Sequence, residues 1–113
     1  MKTLIVEKPW GKFEQFTHNE TTTVKIISVK KKSSLSLQKH NNRREFWRVI
    51  SGHPIVTIGE NKMNANPGDE FAVGKLETHR LEAGNDDVQV LEISSGDFDE
   101  NDIVRIEDKY GRA

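Results

Sequence analysis

The chain has 113 residues, 34% hydrophobic and 31% charged, with a formal net charge of -1 and no cysteine. That length encloses one core, and the near-neutral balance gives no general reason to expect nucleic acid or an anionic membrane as partner. Disulfides, thiolate catalysis and zinc–sulfur sites are excluded, so any metal site must use nitrogen and oxygen ligands.

From the N-terminus, Met1-Lys2-Thr3-Leu4-Ile5-Val6-Glu7 turns charged too soon for a signal peptide. A soluble, cytoplasmic chain with no membrane partner is the expectation. Apolar residues recur at period two through Val24, Ile26 and Ser28, through Ile27 and Val29, and again through Leu35 and Leu37. Lys30-Lys31-Lys32 reads as a solvated turn between strands. The stretches Phe46 to Ile50, Ile55 to Ile58, Phe71 to Val73 and Val88 to Ile93 are short and rich in β-branched or aromatic residues. Ser51-Gly52, Gly59-Glu60-Asn61, Asn66-Pro67-Gly68-Asp69 and Ala83-Gly84-Asn85-Asp86 separate them as turns. Only the tail, Asp97 to Tyr110, suits a helical turn, with acidic residues for its first turn. The expectation is one all-β domain over residues 1–113, a sandwich or barrel.

Four residues stand out against that frame. Gln38 and His40 lie at i and i+2, so on a strand both side chains leave the same face. Glu45 follows after enough chain to turn and present a carboxylate from the next strand. His79 comes eleven residues after the turn glycine Gly68. Two nitrogens and two oxygens suit zinc, manganese, cobalt, nickel or iron as a single divalent ion. A neutral Gln leaves one carboxylate against two metal charges, so the ion would stay electrophilic. Spacing alone leaves a second reading open, an exposed polar strand end. Trp47, two residues past Glu45, shares its strand face and either lines the ion's pocket or fills the core. Trp10, between Pro9 and Gly11, is expected to anchor the N-terminal segment.

These residues resemble the two cupin motifs, G-x5-H-x-H-x3–4-E-x6-G and G-x5-P-x-G-x2-H-x3-N. Glu45-x6-Gly52 and the interval from Gly68 to His79 fit in spacing. Lys32 stands for the first Gly, Gln38 for the first His, Gly74 for the Pro, Leu76 for the second-motif Gly and Ala83 for the Asn. Within cupins the chain is similar to the type II mannose-6-phosphate isomerase group, often found as the C-terminal part of mannose-1-phosphate guanylyltransferase. Pro9-Trp10-Gly11, Ser34-Leu35-Ser36-Leu37-Gln38, Glu45, Trp47, Ser51-Gly52, His79-Arg80-Leu81-Glu82 and the closing Asp102 to Arg112 carry the likeness.

The resemblance implies a cupin double-stranded β-helix, a jelly roll with short terminal extensions, and commonly a homodimer. It implies interconversion of mannose 6-phosphate and fructose 6-phosphate through a metal-stabilised enediolate. Gln38, His40, Glu45 and His79 would hold the ion, zinc first. Arg43, Arg80 and Arg105 are the candidates for the phosphate or a developing oxyanion, Arg80 first because it adjoins a ligand. The chain departs from the group where His40-Asn41-Asn42-Arg43 replaces a His run and Glu45-Phe46-Trp47 replaces Glu-His-Trp. Those departures keep two alternatives open: a non-catalytic cupin binding a metal and a sugar phosphate, or an isomerase or epimerase of another sugar or nucleotide sugar. No nucleotide-binding glycine loop occurs, so this chain is not expected to make GDP-mannose by itself. The general base is not assigned; His18, His53, Glu82 and a metal-bound hydroxide are its candidates.

Overall fold

A computed structural model describes residues 3–16, 22–96, 101–108 and 110–111. Eleven strands account for its regular structure: β1 (Leu4–Lys8), β2 (Gly11–Gln15), β3 (Thr22–Val29), β4 (Leu37–Lys39), β5 (Arg43–Ser51), β6 (Ile55–Ile58), β7 (Asn61–Asn64), β8 (Glu70–Val73), β9 (His79–Glu82), β10 (Val88–Gly96) and β11 (Val104–Glu107). They form two sheets, in the orders β1-β2-β3-β10-β5-β8 and β11-β4-β9-β6-β7, with every pairing antiparallel. This is the all-β jelly roll that the short alternating strands require.

Alternation decides what lies between the sheets. Along β3 the inward residues are Thr23, Lys25, Ile27 and Val29; along β5 they are Arg43, Glu45, Trp47 and Val49; along β10 they are Val88, Val90, Glu92 and Ser94. The strands are antiparallel, and the register sets Thr23 opposite Ser94, Lys25 opposite Glu92, and Ser94 opposite Glu45. Each strand therefore changes from apolar to polar at the same end of the interior. Trp47, Val49, Val56, Leu81, Val88 and Val90 fill one part as a dry core. The other part is lined by groups that must find partners or a ligand. Trp10 is buried in that core, so it anchors the N-terminal segment as expected.

The tail differs from expectation. Residues 97–100 lie outside the described residues, but Val104–Glu107 is a strand, not a helical turn, and pairs with β4 at the edge of its sheet. Val104-Arg105-Ile106-Glu107 alternates β-branched and polar residues, which suits an extended chain better than a helix. Asp102 caps no helix either: its carboxylate accepts the backbone N–H groups of Asn41 and Asn42, each at 2.9 Å.

Two departures from the glycine pattern leave their mark on the backbone. Lys32 and Leu76 both adopt φ +64°, in the left-handed region. Each is the third residue of a turn, closed by Ser33 N–H to Lys30 O at 3.0 Å and by Glu77 N–H to Gly74 O at 3.2 Å. The chain keeps the conformation that glycine would hold without strain. Leu76 N–H also donates to His40 O at 2.8 Å, which ties its turn to the ligand strand. Lys32→Gly and Leu76→Gly are each expected to stabilise the protein by about 1 kcal/mol, read from denaturant unfolding, because both side chains are exposed. A loss of stability in both would contradict the strain.

A surface pair gives a pH test. His53 Nδ1 lies 2.8 Å from Asp86 Oδ2, and that contact holds the Asp86 carboxyl below its ordinary value. A depressed folded value means the stabilisation is present above the unfolded carboxylate value and disappears as pH falls through the lowered one. Asp86→Asn should therefore lower the unfolding midpoint near neutral pH. The gap to wild type should close at strongly acid pH, and a gap that persists there would contradict the assignment.

Candidate metal centre and adjoining pocket

Gln38 on β4 sits opposite His79 on β9 in the register, and His40 follows β4 directly. Glu45 reaches the same space from β5 in the facing sheet. All four are buried, at 8%, 3%, 4% and 1% exposure for Gln38, His40, Glu45 and His79. Glu45 Oε1 lies 2.7 Å from His40 Nε2 and 3.5 Å from His79 Nε2, and the two imidazole centroids are 5.0 Å apart. One ligand atom from each of His40, Glu45 and His79 falls within 4.8 Å of the others.

The outer nitrogens define the inner ones. His40 Nδ1 donates to Asp102 O at 2.7 Å, and His79 Nδ1 donates to Glu77 O at 3.0 Å. A carbonyl oxygen only accepts, so each neutral imidazole carries its proton on Nδ1 and turns a bare Nε2 inward. The carboxylate Oε1 is a third acceptor. Three acceptors facing one buried point repel unless a cation lies among them, and backbone carbonyls fixing the rings from behind are the usual support of ligating histidines. The donor set fits a divalent ion. Gln38 Oε1 accepts a 3.1 Å bond from Ser36 Oγ on the same side of the interior.

Trp47 is a supporting residue and does not line the pocket. It is 1% exposed, its Nε1 donates to Glu45 Oε2 and to Glu92 Oε1 at 3.1 Å each, and its ring meets His79 edge-on at 5.5 Å. Burial alone would raise the Glu45 carboxyl, but the hydrogen bond from Glu92, with the His40 and His79 side chains beside it, outweighs burial and holds Glu45 well below its ordinary value. Burial first, and then the Glu45 charge, push Glu92 well above its own. Glu45 is thus the ionised member of the pair and Glu92 carries the proton.

Beside the ligand set opens a cavity of about 70 Å³, partly open to solvent. Gln38, His40, Arg43, Glu92 and Arg105 line it on the polar side, and Trp10, Phe13, Ile27 and Leu35 on the apolar side. Arg43 is buried, with Nη2 3.2 Å from His40 Nε2 and Nε 3.6 Å from Glu45 Oε1. Arg105 neighbours Gln38 across the β11–β4 pairing. Arg80 is placed elsewhere. Adjacent strand residues face opposite ways, so with His79 and Leu81 inward Arg80 turns to the outer face, where it meets Glu107 Oε1 at 3.1 Å. Adjoining a ligand in sequence therefore keeps it out of the pocket.

Of the base candidates, His53 is exposed on a turn and Glu82 is half-buried beside the inward Leu81. His18 lies outside the described residues. Three residues that sequence reasoning missed belong to the site. Lys25 and Glu92 are inward residues of their strands, a phase that Val24 and Ile26 obscure. Asp102 holds the turn after His40, and its place in the closing motif was the available signal.

Residues 2–108 match the family described as Mannose-6-phosphate isomerase C-terminal. The chain is 38% identical over 109 residues to the xanthan biosynthesis protein XanB of Xanthomonas campestris, covering 95% of this chain and 23% of that protein. Its identity to the mannose-1-phosphate guanylyltransferase ManC of Salmonella typhimurium is 37%, over the same shares of the two chains. With the alginate biosynthesis protein AlgA of Pseudomonas putida it is 38%, over 96% and 23%. The chain thus spans about a quarter of the length of these relatives. Among solved structures it superposes on the capsular polysaccharide assembling protein CapF from Staphylococcus aureus with TM-score 0.82 and 18% identity, over 95% of this chain and 33% of that one. It matches oxalate decarboxylase from Bacillus subtilis with TM-score 0.81 and 20% identity, over 92% and 30%. A cupin protein from Bacteroides fragilis gives TM-score 0.63 and 19% identity, over 68% and 67%. These likenesses establish the cupin fold.

Metal analysis after loading with zinc should show strong loss of the ion in His40→Ala and in His79→Ala. Trp47→Phe keeps all four donors and removes only the bond that orients Glu45, so it should weaken zinc binding about ten- to hundredfold. Unchanged occupancy in both alanine variants would contradict the site.

Proposed function

Because the chain belongs to the Mannose-6-phosphate isomerase C-terminal family, we propose that it is an aldose–ketose isomerase interconverting mannose 6-phosphate and fructose 6-phosphate. It would act as one cupin domain over residues 1–113. The observation that carries this reading is the convergence of His40 Nε2, His79 Nε2 and Glu45 Oε1 beside a cavity lined by arginines. Gln38, His40, Glu45 and His79 would hold one divalent ion, zinc first, with manganese, cobalt, nickel or iron also suited to the nitrogen and oxygen donors. Such an ion, when bound, supplies Lewis-acid polarisation of the two sugar oxygens between which the carbonyl moves.

The chain's own residues do the rest. Trp47 fixes Glu45, and the carbonyls of Asp102 and Glu77 fix the imidazoles, so the ligand set is ordered before substrate arrives. Arg43 stands at the ligand end of the cavity, placed to meet negative charge developing on a sugar oxygen. Arg105 offers its planar fork to the phosphate. Trp10, Phe13, Ile27 and Leu35 keep bulk water from one wall.

Asn41, Asn42 and Phe46, where the family offers other residues, do not weaken this reading. Asn41 and Asn42 are exposed and act through their backbone N–H groups, and Phe46 faces the outside of its sheet. The relatives' names refer to xanthan and alginate biosynthesis, which supports a role in supplying sugar for polysaccharide. Exposed Leu4, Ile5, Val104 and Ile106 on the edge strands β1 and β11 support a homodimer, and a phosphorylated sugar as substrate supports a cytoplasmic site of action. Among the described residues no helix is long and apolar enough to cross a membrane.

Proton exchange at C2 of mannose 6-phosphate, followed in deuterated buffer with zinc, cobalt or manganese supplied, tests the reaction. Exchange accompanied by fructose 6-phosphate is the expected result. Neither exchange nor product with any of these ions would overturn it.

A further inference from the structure

The closing strand is weakly held for the work that depends on it. Among the described residues β11 pairs with β4 alone, at the edge of its sheet, through Val104, Arg105 and Glu107. Val104 and Ile106 are 42% and 50% exposed, so burial adds little to its docking. Yet Ile103 and Arg105 form part of the cavity wall, and Asp102 O accepts the Nδ1–H of His40 at 2.7 Å. A short edge segment with few buried contacts opens locally at low cost. Further anchors must keep β11 in place.

A clasp on the outer face meets that need. Arg105 pairs with Gln38 and Glu107 with Leu37, so two residues advance on β11 against one on β4, and Ile106 is the extra one. Plain alternation would put Glu107 on the same face as Arg105, toward the cavity. The bulge re-aims it to the outer face. There Arg80 Nη1 donates to Glu107 Oε1 at 3.1 Å, and Arg80 Nη2 donates to the Glu107 carbonyl at 3.2 Å. β9 and β11 flank β4 in the sheet, so these two bonds cross β4 and join three strands. The Arg80 side chain is only 16% exposed, and its Nε is buried with no hydrogen-bond partner among the described residues. A guanidinium so far out of water is costlier to leave unpaired than one on an open surface. Its planar fork also serves two acceptors at once, which a lysine cannot reproduce.

We infer that Arg80 is a positioning residue of the site, acting from the outside of the sheet. Through Glu107 it holds β11 against β4, and β11 in turn fixes Arg105 in the cavity wall and the Asp102 carbonyl behind the His40 ring. Arg80 thereby tunes ion affinity and substrate binding without touching either. The effect on substrate rests on the isomerase reading; the effects on β11 and on the ion do not.

Hydrogen–deuterium exchange and zinc titration of the full chain test this, with turnover as a third readout. Arg80→Met is expected to speed amide exchange at Val104–Glu107 about fivefold or more, the opening that follows loss of a charge-assisted anchor. Zinc affinity should fall about five- to tenfold, near the lower end of the cost of disturbing a ligand's supporting partner. KM for mannose 6-phosphate should rise more than kcat falls. Glu107→Ala spares the bond to the carbonyl and should act in the same direction but less. Arg80→Lys should recover part of the loss. Arg48→Met cuts another surface pair, Arg48 with Glu70 at 3.1 Å, and should leave β11 exchange and zinc affinity as they were. Exchange and zinc affinity both unchanged in Arg80→Met, or changed equally in Arg48→Met, overturns the inference. Faster exchange of β11 with full zinc affinity overturns it too, because Arg80 would then hold the strand alone. Faster exchange and weaker zinc binding in Arg80→Met, with no isomerisation by the wild type, would support the clasp and overturn the isomerase reading. Isomerisation by the wild type with all three readouts unaltered in Arg80→Met would do the reverse.

Discussion

Three lone pairs aimed at one buried point form the constraint on which the rest of the site depends. His40 and His79 are each turned by a backbone carbonyl so that Nε2 faces inward, and Glu45 adds a charged oxygen between them. Water reaches none of these residues freely. Their mutual repulsion is tolerable only with positive charge among them, and Arg43 and a divalent ion are the two cations suited to that place. The surroundings keep Glu45 ionised: Trp47 donates to one of its oxygens, and Glu92 takes the proton that a crowded pair of carboxyls cannot both lose.

The fold makes room for this by splitting its interior. Along β3, β5 and β10 the inward phase is continuous, but residue type changes from Val and Ile at one end to Lys, Glu, Ser and Arg at the other. The apolar half supplies the burial that stabilises a small β domain, at about 1.5–3 kcal/mol for each large side chain removed from water. The polar half stabilises little and carries the chemistry. The closing strand joins the two functions. Asp102 fixes the turn after His40 through its carboxylate and the His40 ring through its carbonyl, while Ile103 and Arg105 complete the cavity wall.

Much of the site was legible because strand periodicity is simple. Gln38 and His40 two residues apart, and Glu45 and Trp47 two residues apart, share faces by geometry, and the structure brings them to one place. The same rule corrects Arg80: a residue next to an inward His79 must face out. Lys25 and Glu92 were hidden because β3 and β10 carry apolar residues in both phases, so alternation along the chain could not tell inside from outside. Only the pairing of β3 with β10 resolves it. The tail read as helical from its acidic residues, although its β-branched alternation held the better signal and its partner strand lies more than sixty residues away in sequence. Lys32 and Leu76, where the family motifs have glycine, show the reverse case: the residue changed and the backbone kept its turn.

The central claim is that one cation is held by these side chains. X-ray absorption at the zinc edge of the zinc-loaded protein tests it most directly. Two imidazole nitrogens with oxygen donors at about 2.0–2.2 Å, and no sulfur, are the first coordination shell expected for this ligand set. A shell of oxygen alone, without the imidazole scattering pattern, would contradict it.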